Sequence, residues 1–277
     1  MSSFAISSTA QHYLKSSCNV IDISSRNLKP APAPSNYTSH GKRKARPAEA
    51  IRTIEEVQAV KNYLLTSGKP GLRQRNYLMF VLGISVGLRS CDLLRLKVKD
   101  VVDCNGYVVD ELSCYESKTK KMNHPIINDE AKKAIVDYLN SETYINADDY
   151  LFRAEGRDTP ISVENLYMLM KKVEKELALP YHLGAHSMRK TFAYWTIRLH
   201  MNEPNVIYSL QEMLNHDSLK TTLHYSGQTH EDLRTLYNDM SGVLTGNVKT
   251  SAVTNKTEDK LDTILSLLLS DDDEGID

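Results

Sequence analysis

Capping residues placed ahead of helix-spaced apolar positions recur along this chain, and they limit its fold more than any other feature. Thr53-Ile-Glu-Glu56 is a capping box: the Thr53 hydroxyl can accept from the Glu56 amide while the Glu56 carboxylate reaches back. Val57, Val60 and Leu64 then fall on one helical face. A second helix is expected from about 73 to 86, strongly apolar from Tyr77 to Val86 and ended by Gly87. A short helix starting near Ser90 carries Leu93, Leu94 and Leu96. Further on, an Asn/Asp cap precedes a helix over 129–139, and Ser162 with Glu164 opens one over 162–177. Helices over 187–200, 205–214, 218–225 and 231–240 follow.

Alternation interrupts this pattern in one region. Tyr107 to Leu112 alternates as a strand does, residues 117–123 form a polar turn, and His124-Pro-Ile-Ile127 reads as a returning edge strand. Residues 107–127 are therefore expected to form a small antiparallel sheet with a lysine-rich hairpin. Tyr150-Leu-Phe152 is expected to be a short extended piece. The fold class expected is mixed and mainly α (α+β).

The flanks differ in composition. Residues 1–50 are rich in Ser, Ala and Pro and are expected to be irregular apart from short structure around Gln11–Ser17. They hold seven Lys/Arg against two acids, with Lys42-Arg43-Lys44 and Arg46 clustered. Residues 241–256 read as a linker. Leu261, Ile264, Leu265 and Leu268 then form an apolar stripe on a last short helix within an acidic tail. The tail from Glu258 carries −7, so the net charge of −1 conceals a body of +6, compatible with binding a phosphate backbone. No apolar run is long enough to span a bilayer, and the N-terminus lacks the basic start of a signal peptide. Cys18, Cys91, Cys104 and Cys114 form no CxxC pair, which fits a reducing cytoplasm.

Three separated segments carry residue types that suit one chemistry. Gly87-Leu-Arg89 opens into Ser-Cys-Asp92-Leu-Leu. His186-Ser-Met-Arg189 lies far downstream. His216 follows His186 by thirty residues, and Tyr225 follows His216 by nine. A phosphodiester under attack builds negative charge on its non-bridging oxygens. Planar guanidinium groups match those oxygens and keep their charge at neutral pH. Arg89 and Arg189 fit that role, with Asp92 placed to anchor Arg89. His186 can take a nucleophile's proton near neutral pH. His216, between two helices, is placed to reach a phosphate oxygen. A tyrosine hydroxyl titrates at about 10 and needs such help to act as a nucleophile. The leaving 5′ oxygen needs a proton, and Lys118, Lys120 and Lys121 on the hairpin are all candidates. His182 lies four residues before His186, but Leu183-Gly184 interrupts a helix there and no third ligand is evident, so no metal site is expected.

Together, Gly-Leu-Arg89-x-x-Asp92-Leu-Leu, the Ser117-Lys118-Thr119 hairpin, His186-x-x-Arg189 and Leu-Asn-His216 with Tyr225 resemble the tyrosine recombinase (phage integrase) family over roughly residues 51–240. The resemblance implies a mainly helical catalytic domain that cuts and rejoins double-stranded DNA through a covalent 3′-phosphotyrosine, with no cofactor. It makes Arg89 and Arg189 a phosphate clamp, Lys118 the general acid, His186 the general base, His216 a phosphate contact and Tyr225 the nucleophile. It also implies a tetramer on DNA joined through the C-terminal helix, with folding of that helix back onto its own domain as the alternative. Alternatives of the same fold are a non-cutting DNA-binding protein and relaxation like that of a type IB topoisomerase.

Three departures from the family pattern stand out. The usual Leu-Gly-His reads Leu-Asn215-His216, tolerable if the backbone there has no positive φ. Ser226-Gly227 follows the tyrosine where many members place a histidine. The fifty residues before the catalytic region do not read as a helical core-binding domain, so the expectation is that the basic Lys42–Arg46 segment or a partner helps hold the DNA, or that this is a reduced or truncated member.

Overall fold

A computed structural model describes residues 4–17, 47–200, 202–203, 205–218 and 222 of the chain. The described residues form nine helices and one two-stranded ladder. The helices are α1 (Ser8–Ser17), α2 (Ile54–Thr66), α3 (Pro70–Val86), α4 (Ser90–Leu93), α5 (Val98–Val101), α6 (Asp129–Ser141), α7 (Val163–Glu176), α8 (Ser187–Leu199) and α9 (Val206–Met213). The ladder joins β1 (Cys114–Tyr115) and β2 (Met122–Asn123). This is the mainly helical α+β arrangement with a small hairpin that the sequence implies.

The local signals act where they stand. At the start of α2, Thr53 Oγ1 accepts from Glu56 N at 3.2 Å and Glu56 Oε2 accepts from Thr53 N at 3.3 Å. Asn128 caps α6 by accepting from Ala131 N at 2.9 Å, and Ser162 caps α7 by accepting from Asn165 N at 3.2 Å.

Helix α3 is the centre of the body. Leu78, Met79, Phe80, Val81 and Leu82 are consecutive and all buried, so every face of this stretch must be covered. Helices α2, α6 and α8 supply the cover. Gly87 ends α3 in the left-handed region, at φ 62. A Cβ there would meet the Phe192 ring at 2.4 Å, so both the turn and the close approach of α8 require glycine. This junction delivers Arg89 two residues later. A smaller cluster of Ala193, Leu210 and Leu214, flanked by Phe192 and Ile197, joins α8 to α9.

The hairpin sits further along than expected. Its register pairs Cys114 with Asn123 and Tyr115 with Met122. The same register continues through Leu112 N to Pro125 O at 2.9 Å, the Glu111–Ile126 bridge, and Ile127 N to Asp110 O at 2.8 Å. Tyr107 and Val108 do not extend it. They pair instead with Ala5 and Val102, because Val108 N donates to Phe4 O at 2.9 Å and Val109 N to Val101 O at 3.0 Å. The expected extended piece near Tyr150 is present as a bridge to Lys97.

Order begins earlier than Thr53. Helix α1 falls on the short structure expected around Gln11–Ser17, and its Ala10 and Leu14 are buried with Ile6 in the same core as α3. Ile6 N donates to Gly106 O at 3.0 Å and Ser7 N to Asn140 Oδ1 at 2.8 Å. The basic cluster of residues 42–46, the expected helix over 231–240 and the C-terminal stripe lie outside the described residues.

Leu14 is 2% exposed. Leu14→Ala is therefore expected to lower the free energy of unfolding by about 2–5 kcal/mol, read from denaturant midpoints. A change within about 0.5 kcal/mol, typical of a surface position, would separate α1 from the body.

Candidate active site

Arg189 organises the site. It lies in the first turn of α8 and is 1% exposed. Its Nη1 donates to Gly87 O and its Nη2 to Leu214 O, each at 2.7 Å, so one guanidinium ties the end of α3 to the end of α9. Nη2 also lies 3.0 Å from His216 Nε2. Arginine has no acceptor, so His216 Nε2 must accept, and the ring is neutral with its proton on Nδ1. That Nδ1 is 3.1 Å from Thr222 Oγ1, to which it donates. Burial first, then the charges of Arg189 and Arg89, push the His216 pKa down to about 4.

The loop carrying His216 is held by its backbone. His216 N donates to Gln211 O at 3.0 Å, and Gln211 Nε2 donates to His216 O at 3.1 Å. Asn215 stands at φ 51, so the position does take the left-handed region, and the condition set on the sequence is not met. Asparagine enters that region more readily than other side chains, which is why it can replace the glycine usual there.

Arg89 comes from the N-terminus of α4 and pairs with Glu116, not with Asp92. Arg89 Nη1 donates to Glu116 Oε2. The Glu116 side chain is fully buried, and Oε2 also accepts from Thr119 Oγ1 at 2.7 Å while Oε1 accepts from Asn123 Nδ2 at 3.0 Å. Asp92 is buried too, but its Oδ1 accepts from Ser117 N at 3.0 Å. Its support therefore reaches the hairpin backbone rather than the guanidinium.

Glu116 escaped the sequence reading, although a signal existed. Leu112, Cys114 and Glu116 alternate onto the inward face of the hairpin. A carboxylate on such a face needs a partner.

Lys118 lies at the turn between Ser117 and Thr119, with its side chain exposed. Lys120, also exposed, takes φ 58. Lys121 Nζ reaches Asp217 Oδ1 at 2.6 Å, joining the hairpin to the His216 loop. His186 occupies the N-cap position of α8, and the carbonyl of its neighbour Ala185 accepts from Ser90 Oγ at 2.6 Å. His186 is exposed as a residue, yet its ring is partly desolvated. This partial burial, then the charges of Arg189, Lys190, Arg89 and Lys118, lower its pKa. A lowered pKa leaves His186 neutral at neutral pH, able to accept a proton.

Arg89, Lys118, His186, Arg189 and His216 thus share one electrostatic neighbourhood. Tyr225 lies outside the described residues. His182 turns to Lys171 Nζ at 2.8 Å and Glu174 Oε2 at 3.5 Å. Among the described residues no group of three or more His, Cys, Asp and Glu is arranged to hold a metal ion, and no helix is long and apolar enough to cross a membrane. Two guanidinium groups and an ammonium beside two neutral imidazoles suit a bound anion whose oxygens gain charge during reaction.

The model of the phage integrase family matches residues 53–232. The chain is 33% identical over 195 residues to the probable integrase/recombinase YoeC of Bacillus subtilis, covering 70% of this chain and 98% of that protein. It is 28% identical over 191 residues to the tyrosine recombinase XerD of Halalkalibacterium halodurans, covering 67% of this chain but 59% of that one. Its fold is similar to the crystal structure of XerA recombinase, with a TM-score of 0.53, 22% identity, and 70% of this chain matched to 66% of that one. It is equally similar to XerH site-specific recombinase bound to difH substrate in a pre-cleavage complex, with a TM-score of 0.53, 22% identity, and 73% of this chain matched to 57% of that one. The chain thus spans about six-tenths of the length of the XerD and XerH relatives.

The His216 pairing gives a pH prediction. The unfolded ring takes a proton near 6.5, while the folded ring resists protonation down to about 4. Stability linked to this group is therefore fully present above about 6.5 and lost as pH falls toward about 4. Nitrogen-15 NMR of the histidine rings is expected to show His216 neutral, with its proton on Nδ1, at pH 5.5. A midpoint at the ordinary histidine value would contradict the pairing.

Proposed function

The chain belongs to the phage integrase family, and from that membership we propose that it is a site-specific DNA recombinase that cuts and rejoins double-stranded DNA through a covalent 3′-phosphotyrosine. The observation that carries the reading is the convergence of two arginines from distant segments on one site with two neutral histidines. In this reading the scissile phosphate lies against Arg89 and Arg189. A non-bridging oxygen takes the acceptor position on Arg189 Nη2 that His216 Nε2 fills in the structure. His216 then turns a donor to the phosphate, by moving its proton to Nε2 or by taking up another.

The Tyr225 oxygen forms a bond to phosphorus as the bond to the 5′ oxygen breaks. His186 takes the tyrosine proton and Lys118 gives one to the leaving 5′ oxygen. The two guanidinium groups stabilise the charge that builds on the non-bridging oxygens. The phosphotyrosine retains the energy of the broken linkage, so attack by a 5′ hydroxyl reverses the steps and reseals a strand. No cofactor has a part in this scheme.

The same reading assigns catalysis to residues 51–240, with α1 packed onto that unit. The basic segment within residues 1–50 holds the DNA. The stripe Leu261, Ile264, Leu265 and Leu268 docks on a neighbouring copy in a tetramer. The cysteines, with no CxxC pair, fit work in a reducing cytoplasm.

A duplex site can be selected from a random-sequence pool by binding to the Tyr225→Phe protein and then nicked near the cleavage point to trap the adduct. Wild type is expected to form a covalent protein–DNA adduct on a denaturing gel, and Tyr225→Phe none. Lys118→Ala is expected to slow cleavage by about 100-fold or more, with recovery on a substrate whose leaving 5′ oxygen is replaced by sulfur. An adduct from Tyr225→Phe would assign the nucleophile elsewhere.

A further inference from the structure

The buried carboxylate of Glu116 has no part in the scheme above, yet it touches both halves of the phosphate-handling machinery. One oxygen bonds Arg89 Nη1 and the Thr119 hydroxyl, and the other bonds the Asn123 amide across the hairpin. The contact is reciprocal. Asp92, on the segment that carries Arg89, accepts from the backbone of Ser117 at 3.0 Å. Lys118 lies between Ser117 and Thr119, so both of its neighbours are tied to the Arg89 segment through a buried carboxylate. Among the described residues, Glu116 is the one hydrogen-bond partner of the Arg89 guanidinium.

The chemistry of these contacts explains why a carboxylate stands beside a site that must attract an anion. Arginine carries five N–H donors in a flat fork. Holding one of them fixes the plane and leaves other donors to face a phosphate. A neutral acceptor would hold that donor less firmly, since charge-assisted hydrogen bonds are roughly twice as strong as neutral ones. The cost is one negative charge in the site, placed at 0% exposure behind the guanidinium. A second consequence follows from the shared oxygen. Because Oε2 serves Arg89 and Thr119 together, a shift of the Lys118 turn pulls on the clamp arginine, and a shift of Arg89 pulls on the turn.

Resting on the recombinase reading, we propose that Glu116 is a positioning residue that sets the clamp arginine Arg89 and the general-acid lysine Lys118 as one unit. Glu116→Gln then weakens both functions, whereas Thr119→Val, which removes one hydroxyl beside Lys118, weakens the acid alone.

The test is single-turnover cleavage of three nicked duplexes of the selected site. One carries the ordinary phosphodiester, one sulfur at the leaving 5′ position, and one a methylphosphonate at the scissile position. Sulfur leaves without a proton and so repairs a defect in the acid. The methylphosphonate has lost the non-bridging negative charge and so repairs a defect in the clamp. Glu116→Gln is expected to cleave the ordinary substrate at least tenfold more slowly than wild type, and each modified substrate is expected to restore part of that loss. Thr119→Val is expected to be slowed less and to recover fully with sulfur but not with the methylphosphonate.

Thermal melting of each variant separates these outcomes from unfolding. Normal cleavage by Glu116→Gln would overturn the proposal. So would an equal loss on all three substrates, which is the mark of a merely structural role. If Glu116→Gln does not fold, Thr119→Val decides: failure of sulfur to restore it would overturn the link to Lys118. Should wild type form no adduct on any of the three duplexes, the recombinase reading itself fails and the proposal with it.

Discussion

The structure depends on burying the charge of Arg189. A guanidinium at 1% exposure needs hydrogen-bond partners, because a buried donor left unmet costs roughly 1–3 kcal/mol. Its hydrogen bonds go to the carbonyls of Gly87 and Leu214 and to a histidine ring. Meeting them fixes where α3 stops, where α9 stops and how the His216 loop is drawn in. Backbone carbonyls satisfy the donors through dipoles and do not cancel a full charge. The positive potential of Arg189 therefore remains in the site, and after burial it is the next cause that lowers the pKa of both His186 and His216. One residue thus links packing to chemistry: the guanidinium that closes the fold also adds to the burial that keeps two imidazoles neutral.

Arg89 is handled differently. Its hydrogen bond goes to a carboxylate, Glu116, which holds the guanidinium in place at the expense of some positive charge. Asp92 and Glu116 cross between the Arg89 segment and the hairpin in opposite directions. Two buried carboxylates thus anchor a turn whose lysine is exposed. A small hairpin standing alone is marginally stable in water, so precise placement of Lys118 has to be borrowed from the helical body.

What could be read in the sequence divides along the same line. The Thr53 box, the Asn128 and Ser162 caps and the stop at Gly87 were legible because each is set by residues within one turn of one another. Alternation was read over Tyr107–Leu112, short of the inward Cys114 and Glu116, and the partner of Arg89 was not read at all. Asp92 is three residues away and Glu116 is twenty-seven, and sequence favours the near candidate. Tertiary packing reversed that choice, since Asp92 had a backbone amide to satisfy. The left-handed turn at Asn215 stayed an open condition because asparagine, unlike glycine, does not advertise it. Order at Ile6, Ala10 and Leu14 was largely hidden by the composition around it, because a short apolar helix is stabilised by the surface it covers rather than by its own propensity.

The central claim is that Arg89 and Arg189 meet on a single phosphate while Glu116 keeps hold of Arg89. A crystal structure of the Tyr225→Phe protein on its selected duplex tests it most directly. The account predicts that both guanidinium groups donate to non-bridging oxygens of one phosphate, that His216 Nε2 has left Arg189, and that the Arg89–Glu116 pair is intact. Arginines bound to different phosphates, or a Glu116 carboxylate turned away from Arg89, would contradict it.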